Sequence, residues 1–302
     1  MVRPFRFGVV FTDEMPGPQW AEYARRLEGE GFSTLLVADH YGNPMACGPL
    51  MMAAAAATTT LRVGSYVYDN DFRHPALLAK EAATIDVLSG GRLELGLGAG
   101  WHKTEYDQAG ISFDLPGVRV SRLEEAVEVI TRLFAGGPVQ FAGEHYRLDG
   151  LEGAPLPIQQ PIPLLIGGGG PRMIRLAARQ AHILGLVPPS LTQGGLDPAK
   201  FSAEAMDAKI DALEAALVEV GRTDGGPERS ILVFETYRSI DDVADDDWVR
   251  EDLASNSPYV LLGSADAMID ALIERRDRWG LSYIVCFEND LEAFLPLVRK
   301  LA

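Results

Sequence analysis

The chain has 302 residues, 47% of them hydrophobic, and carries 43 acidic against 27 basic side chains for a formal charge of −16. That much apolar sequence can bury a large core, and so negative a field repels nucleic-acid backbones and anionic lipid surfaces, so neither is expected as a partner. The two cysteines, Cys47 and Cys286, lie far apart without metal-ligand spacing, which points away from a disulfide framework or a zinc site and toward a reducing cytoplasm.

The opening Met1-Val2-Arg3-Pro4 lacks the apolar core of a secretory leader, and export is not expected. Phe5 to Phe11 reads as a buried strand, followed by a helix from Pro18 to Glu30 that Gly31 stops. Thr34 to Ala38 is the second strand. The longest apolar stretch, Met45 to Ala57, is interrupted by Gly48 and Pro49 and is too short to cross a bilayer, so it reads as a buried helix. Strand Leu61 to Tyr68 and helix Pro75 to Leu88 follow, with Pro75 at the first helical position, where its missing N–H costs nothing. Leu93 to Ala99 is the fourth strand.

Ser121-Arg122-Leu123-Glu124 has capping-box spacing and predicts the start of the fourth helix, which ends at Gly136-Gly137-Pro138. Between this helix and strand Ile162 to Ile166, Phe141 to Tyr146 suggests a small hairpin. A fifth helix opens at Pro171. Strand His182 to Val187, the helix bearing Met206, Ile210, Leu213, Leu217 and Val220, and strand Ile231 to Tyr237 come next. A helix from Asp266 to Trp279, strand Tyr283 to Phe287 and a helix from Leu291 to Leu301 complete eight strand-helix units.

Strands buried on both faces and alternating with amphipathic helices imply parallel pairing with right-handed crossovers, and eight such units close into an α/β (β/α)8 TIM barrel. The rival, an open doubly wound sheet, places a glycine-rich phosphate turn after its first strand; here Phe11-Thr12-Asp13-Glu14-Met15-Pro16 is acidic instead. The expected organisation is one barrel over residues 1–302, with insertions at about 137–161 and 223–258. A barrel of this kind carries its site at the strand C-termini. There the chain places Asp39-His40, the run Gly96-Leu97-Gly98-Ala99-Gly100-Trp101-His102, and Gly167 to Pro171. Glycines let backbone approach a flat or anionic ligand, and Gly168-Gly169-Gly170-Pro171-Arg172-Met173 at a helix start favours an anion. His40 can titrate near neutral pH, with Asp39 beside it to orient the ring or contact a cofactor. The acidic run Asp241, Asp242, Asp245, Asp246 and Asp247 reads as a solvated loop, and no metal site is expected.

Asp39-His40, Phe72-Arg73-His74-Pro75, Leu88-Ser89-Gly90-Gly91-Arg92, Gly96 to Trp101 and Gly143-Glu144-His145-Tyr146, in that order, resemble the bacterial luciferase-like superfamily, and within it the coenzyme F420-dependent oxidoreductases. The resemblance implies an oxidoreductase that moves a hydride between F420 in the barrel mouth and a small organic substrate. The alternatives it leaves are an FMN-dependent monooxygenase and a non-catalytic flavin-binding protein. It further implies a backbone bulge at Tyr66-Val67 against the ring, with a non-proline cis peptide there. Cofactor contacts would come from Asp39, Asp69, Ala99, Gly100, Trp101 and Thr104, with the cofactor phosphate on Gly168, Gly169, Gly170, Pro171, Arg172 and Met173. His40 would be the acid, and a homodimer would form through the second and third helices. Some relatives carry a glutamate where this chain has Trp101, so either His40 acts alone or another mouth residue, such as Asp13, Glu14, Glu235 or Glu288, supplies a second carboxylate.

Overall fold

The computed structural model describes residues 2–243 and 255–302. Eight strands form the barrel: β1 (Arg6–Phe11), β2 (Thr34–Val37), β3 (Arg62–Ser65), β4 (Leu93–Gly98), β5 (Leu164–Gly167), β6 (Ile183–Leu186), β7 (Glu228–Leu232) and β8 (Leu281–Phe287). Every neighbouring pair is parallel, and the order β3-β2-β1-β8-β7-β6-β5-β4 closes because β4 pairs back onto β3, Val63 opposite Leu93 and Gly64 opposite Glu94. The barrel expected from the alternating pattern is therefore present. Outside it lie α1 (Gly17–Gly29), α2 (Cys47–Ala57), α3 (Pro75–Ser89), α4 (Pro116–Ala135), α5 (Pro171–Gln180), α6 (Ala203–Glu219), α7 (Ala265–Trp279) and α8 (Leu291–Leu301).

Alternation along each strand divides the core. Phe7, Val9 and Phe11 of β1 pack into the layer beneath the helices, while Val10 joins Leu36, Leu165, Ile183, Leu232 and Val285 inside the barrel. The strand N-termini are closed by charge: Arg6 bridges Glu94 at 2.6 Å and Glu228 at 2.7 Å, with Arg62 joining Glu94 at 2.7 Å. Arg6 also lies over the Tyr283 ring, 3.5 Å from its centroid. This network plugs the end of the barrel opposite the mouth.

Three local expectations are corrected. Helix α4 begins at Pro116, not Ser121, because a proline at the first helical position already starts it; Ser121 lies inside and its hydroxyl donates to the Gly117 carbonyl. The third strand does not run through Tyr68. It ends at Ser65, the Tyr66–Val67 peptide is cis, and Tyr68–Asp69 resumes pairing on β4. The seventh strand leaves the barrel after Leu232, and Glu235–Tyr237 pairs in parallel with Val260–Leu262.

The hairpin is present as Pro138–Ala142 against Arg147–Glu152. Asp241 and Asp242 sit in a short 3-10 turn capped by Ser239, whereas Asp245, Asp246 and Asp247 lie outside the described residues. Among the described residues no helix is long and apolar enough to cross a membrane. Both cysteines are buried free thiols.

Candidate active site

The C-terminal ends of the strands surround a cavity of about 350 Å³, within the range of sites that hold small molecules. Thr12 enters it after β1, Asp39 and His40 after β2, and Tyr66, Val67 and Asp69 after β3. Gly98 to His102 line it after β4, Gly167 to Gly170 with Met173 after β5, and Val187 to Ser190 after β6. Phe234 and Phe287 close the far side.

The glycine pattern is explained by what lies against it. A methyl group on Gly98 would meet Val67 Cγ2 at 2.7 Å, and one on Gly167 would meet Val67 Cγ1 at 3.0 Å, so Val67 occupies the space two missing side chains leave. Gly100 has φ +76°, and its methyl would strike the Tyr106 hydroxyl at 1.9 Å and Asp69 Oδ2 at 2.6 Å. That close approach lets the Tyr106 hydroxyl donate to Asp69 at 2.8 Å. Burial pushes the Asp69 carboxyl up to about 7, against the opposing pull of the Asp71 amide and the Tyr106 hydroxyl. The bulge, the glycines and the Trp101 side chain line one shelf where backbone comes close to the cavity, which fits a planar redox ring.

His40 lines the shelf. Its Nδ1 lies 2.8 Å from Glu105 Oε2, and Glu105 Oε1 accepts from the Gly42 amide at 3.2 Å. Burial raises the Glu105 carboxyl, but the His40 hydrogen bond and charge, with the Gly42 amide, outweigh it and hold the group below the usual carboxylate range. With Nδ1–H donated to the carboxylate, Nε2 is left as the proton acceptor. His102 Nδ1 lies 3.4 Å from Glu105 Oε1, so the donor atoms of His40, His102 and Glu105 fall within 4.8 Å of one another.

Asp39 does not orient His40. Its carboxylate is held bidentately by Arg73, at 2.6 and 2.9 Å, and accepts from the Asp69 amide at 3.0 Å, which ties the β2 loop to the β3 bulge. Glu105 and Arg73 were both missed as site residues. Glu105 stands 65 residues from its partner on the short helix Lys103–Ala109, and its only sequence signal is the three-residue step from His102. Of the other carboxylates considered, Glu288 accepts from the Thr12 amide and hydroxyl at 3.0 and 2.8 Å.

Asp39, His40, Tyr66, Val67, Asp69, Ala99, Gly100, Trp101, Gly168, Gly169, Gly170 and Met173 all line the one cavity. Thr104, Pro171 and Arg172 do not. Thr104 is exposed, Pro171 turns outward at the start of α5, and Arg172 pairs with Glu124 of α4 at 2.6 Å while donating to the Gly117 carbonyl and Ser121 hydroxyl. The start of α5 nonetheless suits an anion: Gly170 offers no side-chain cap, and the amides of Arg172 and Met173 have no acceptor within the helix.

A profile of the luciferase-like monooxygenase family matches residues 5–280. The chain belongs to that family. The luciferase-like chain is 29% identical over 265 residues to the 5,10-methylenetetrahydromethanopterin reductase of Archaeoglobus fulgidus, across 88% of this chain and 73% of the relative. It is 31% identical over 244 residues to the F420-dependent glucose-6-phosphate dehydrogenase of Nakamurella multipartita, across 78% and 69% of the two chains. The structure of the coenzyme F420-dependent tetrahydromethanopterin reductase from Methanopyrus kandleri superimposes with a TM-score of 0.81 over 99% of both chains, at 20% identity, and so shares the fold. This luciferase-like protein is an oxidoreductase.

Proposed function

We propose that the protein is an F420-dependent oxidoreductase that moves a hydride between the deazaflavin and a small, uncharged organic substrate. The observation that carries this reading is His40, tied through Nδ1 to Glu105 at the edge of the shelf built by Val67, Gly98 and Gly100. The F420 dependence of the glucose-6-phosphate dehydrogenase from Nakamurella multipartita supports the same cofactor.

Coenzyme F420, when bound, supplies the two-electron hydride chemistry. The protein's own groups orient, exclude water and move the proton. Val67, the glycines of β4 and Trp101 would hold the ring. The start of α5 would hold the anionic tail. His40 Nε2 takes or gives the substrate proton, while Glu105 fixes the tautomer and steadies the imidazolium. Leu196, Phe234 and Phe287 form an apolar wall for the substrate and keep the cavity dry.

The unit that performs this is the barrel of residues 1–302, acting in the cytoplasm, where buried thiols such as Cys47 and Cys286 stay reduced. We assign it as a homodimer through α2 and α3, with Leu77 and Leu88 exposed on α3. Titration with F420 and with FMN, followed by turnover of neutral alcohols and cyclic enones by wild type and His40→Ala, tests the reading. Tight F420 binding with turnover lost in the variant is expected. Tight FMN binding without F420 binding overturns it in favour of a monooxygenase, and cofactor binding with no turnover by wild type favours a flavin-binding protein.

A further inference from the structure

Lys209 of α6 is 5% exposed, yet no carboxylate among the described residues pairs with it. Its ammonium donates to the Tyr259 hydroxyl at 2.8 Å and, at 3.4 Å, to the Lys200 carbonyl, both neutral acceptors. Three N–H donors meet two acceptors. The charged group nearest in effect is another cation, Lys200, so among the described residues the two neutral acceptors and the Tyr259 ring, 5.1 Å from the ammonium, are what offset the cost of burying this charge. Burial pushes its ammonium down to about 8, with Lys200 adding to the same shift.

The neighbour of this lysine is the glycine loop before α5. A methyl group on Gly169 would meet the Val187 carbonyl at 2.0 Å and Lys209 Cε at 3.1 Å, whereas one on Gly170 would meet nothing within 4 Å. The loop therefore has the lysine packed against one residue and open space at the next. Gly168, Gly169, Gly170 and Val187 all line the cavity, and the uncapped amides of α5 begin at Arg172, two residues past Gly170. Arg172, the cation the sequence offers for this place, is committed to Glu124.

We propose that Lys209 is the cationic partner of the cofactor's anionic tail, standing behind the Gly168–Gly170 loop and supplying the charge that Arg172 does not. The inference rests on the F420 reading of the cavity. An anion seated on the loop would face the uncapped amides, with the ammonium behind the loop adding a positive charge and gaining a counter-charge in return. The lysine would then act on affinity for the tail and leave the ring's chemistry untouched.

The test compares two probes by fluorescence titration: F420, and its tail-less riboflavin-level chromophore, which carries the same ring without phosphate. Lys209→Met is expected to weaken F420 binding at least tenfold and to leave chromophore binding within twofold, with Lys209→Arg restoring part of the loss. Arg172→Met is expected to stay within threefold of wild type for both probes. Equal loss of both probes in Lys209→Met, or no loss of either, overturns the proposal. Should Lys209→Met fail to fold by circular dichroism, Lys209→Gln carries the same comparison. If wild type takes FMN and not F420, the cofactor reading fails while the lysine is still tested, by FMN against riboflavin.

Discussion

Glu105 Oε2 accepts from His40 Nδ1 at 2.8 Å, which leaves the opposite ring nitrogen as the basic one. A carboxylate that fixes a histidine tautomer acts in the chemical step more than in binding. Glu105→Gln keeps a hydrogen-bonding side chain but loses the charge that steadies the imidazolium. Its kcat is expected to fall by about 10- to 100-fold, with His40→Ala losing about 100-fold or more. F420 affinity in both should stay within a few-fold of wild type. Stopped-flow measurement of F420 oxidation state checks both, and an unchanged kcat in Glu105→Gln would remove Glu105 from the mechanism.

Asp69 makes stability depend on pH in an unusual direction. Its folded-state pKa of about 7 lies above the ordinary 3.8, so the folded protein binds this proton more tightly than the unfolded chain does. The contribution of this group to stability therefore falls as pH rises from about 4 to about 7 and is level above that. The loss is on the order of a few kcal/mol. Asp69→Asn keeps the acceptor for the Asp71 amide and removes the titration, so urea denaturation from pH 4 to pH 8 should give a shallower decline in the variant than in wild type.

Gly100→Ala places a methyl group into the Tyr106–Asp69 contact, at a φ that favours glycine. Relief requires breaking that hydrogen bond or shifting the strand end. A destabilisation of about 2 to 4 kcal/mol is expected, with F420 binding weakened in the same variant. Thermal melting and titration measure the two effects separately. An alanine tolerated without cost to either would show that the strand end yields freely.

Arg73 and Asp39 hold two loops of the mouth together, with side chains 21% and 10% exposed. Removing the arginine leaves a mostly buried carboxylate without its counter-charge, and Arg73→Met should cost about 2 to 4 kcal/mol. Asp39→Asn in the same background should recover part of that loss. A double-mutant cycle by denaturant unfolding gives the coupling, and additive costs would mean that the pair contributes no joint stability.

The barrel is legible because its strands and helices announce themselves locally: Val9 and Val10 are both buried, as are Leu35 and Leu36, which is what a strand covered on both faces requires. The glycines of β4 and of the loop before α5 are likewise visible as places of close approach. What the sequence hides is pairing across elements. Glu105 looks like one more acidic helix residue until the fold brings it to His40. Arg172 looks like a free cation until Glu124 arrives from α4 to pair with it. Ser121 has the spacing of a helix cap, yet Pro116 has already begun the helix a turn earlier. In each case the deciding partner lies on another segment, or the stronger of two local signals wins.

Val67 has one further consequence. Because it fills the gaps at Gly98 and Gly167, three positions on three segments behave as one interlocking part, and none can enlarge unless another shrinks. Attempts to retune this barrel for a new substrate should spare that joint and vary Leu196, Phe234 or Phe287, whose side chains border the cavity.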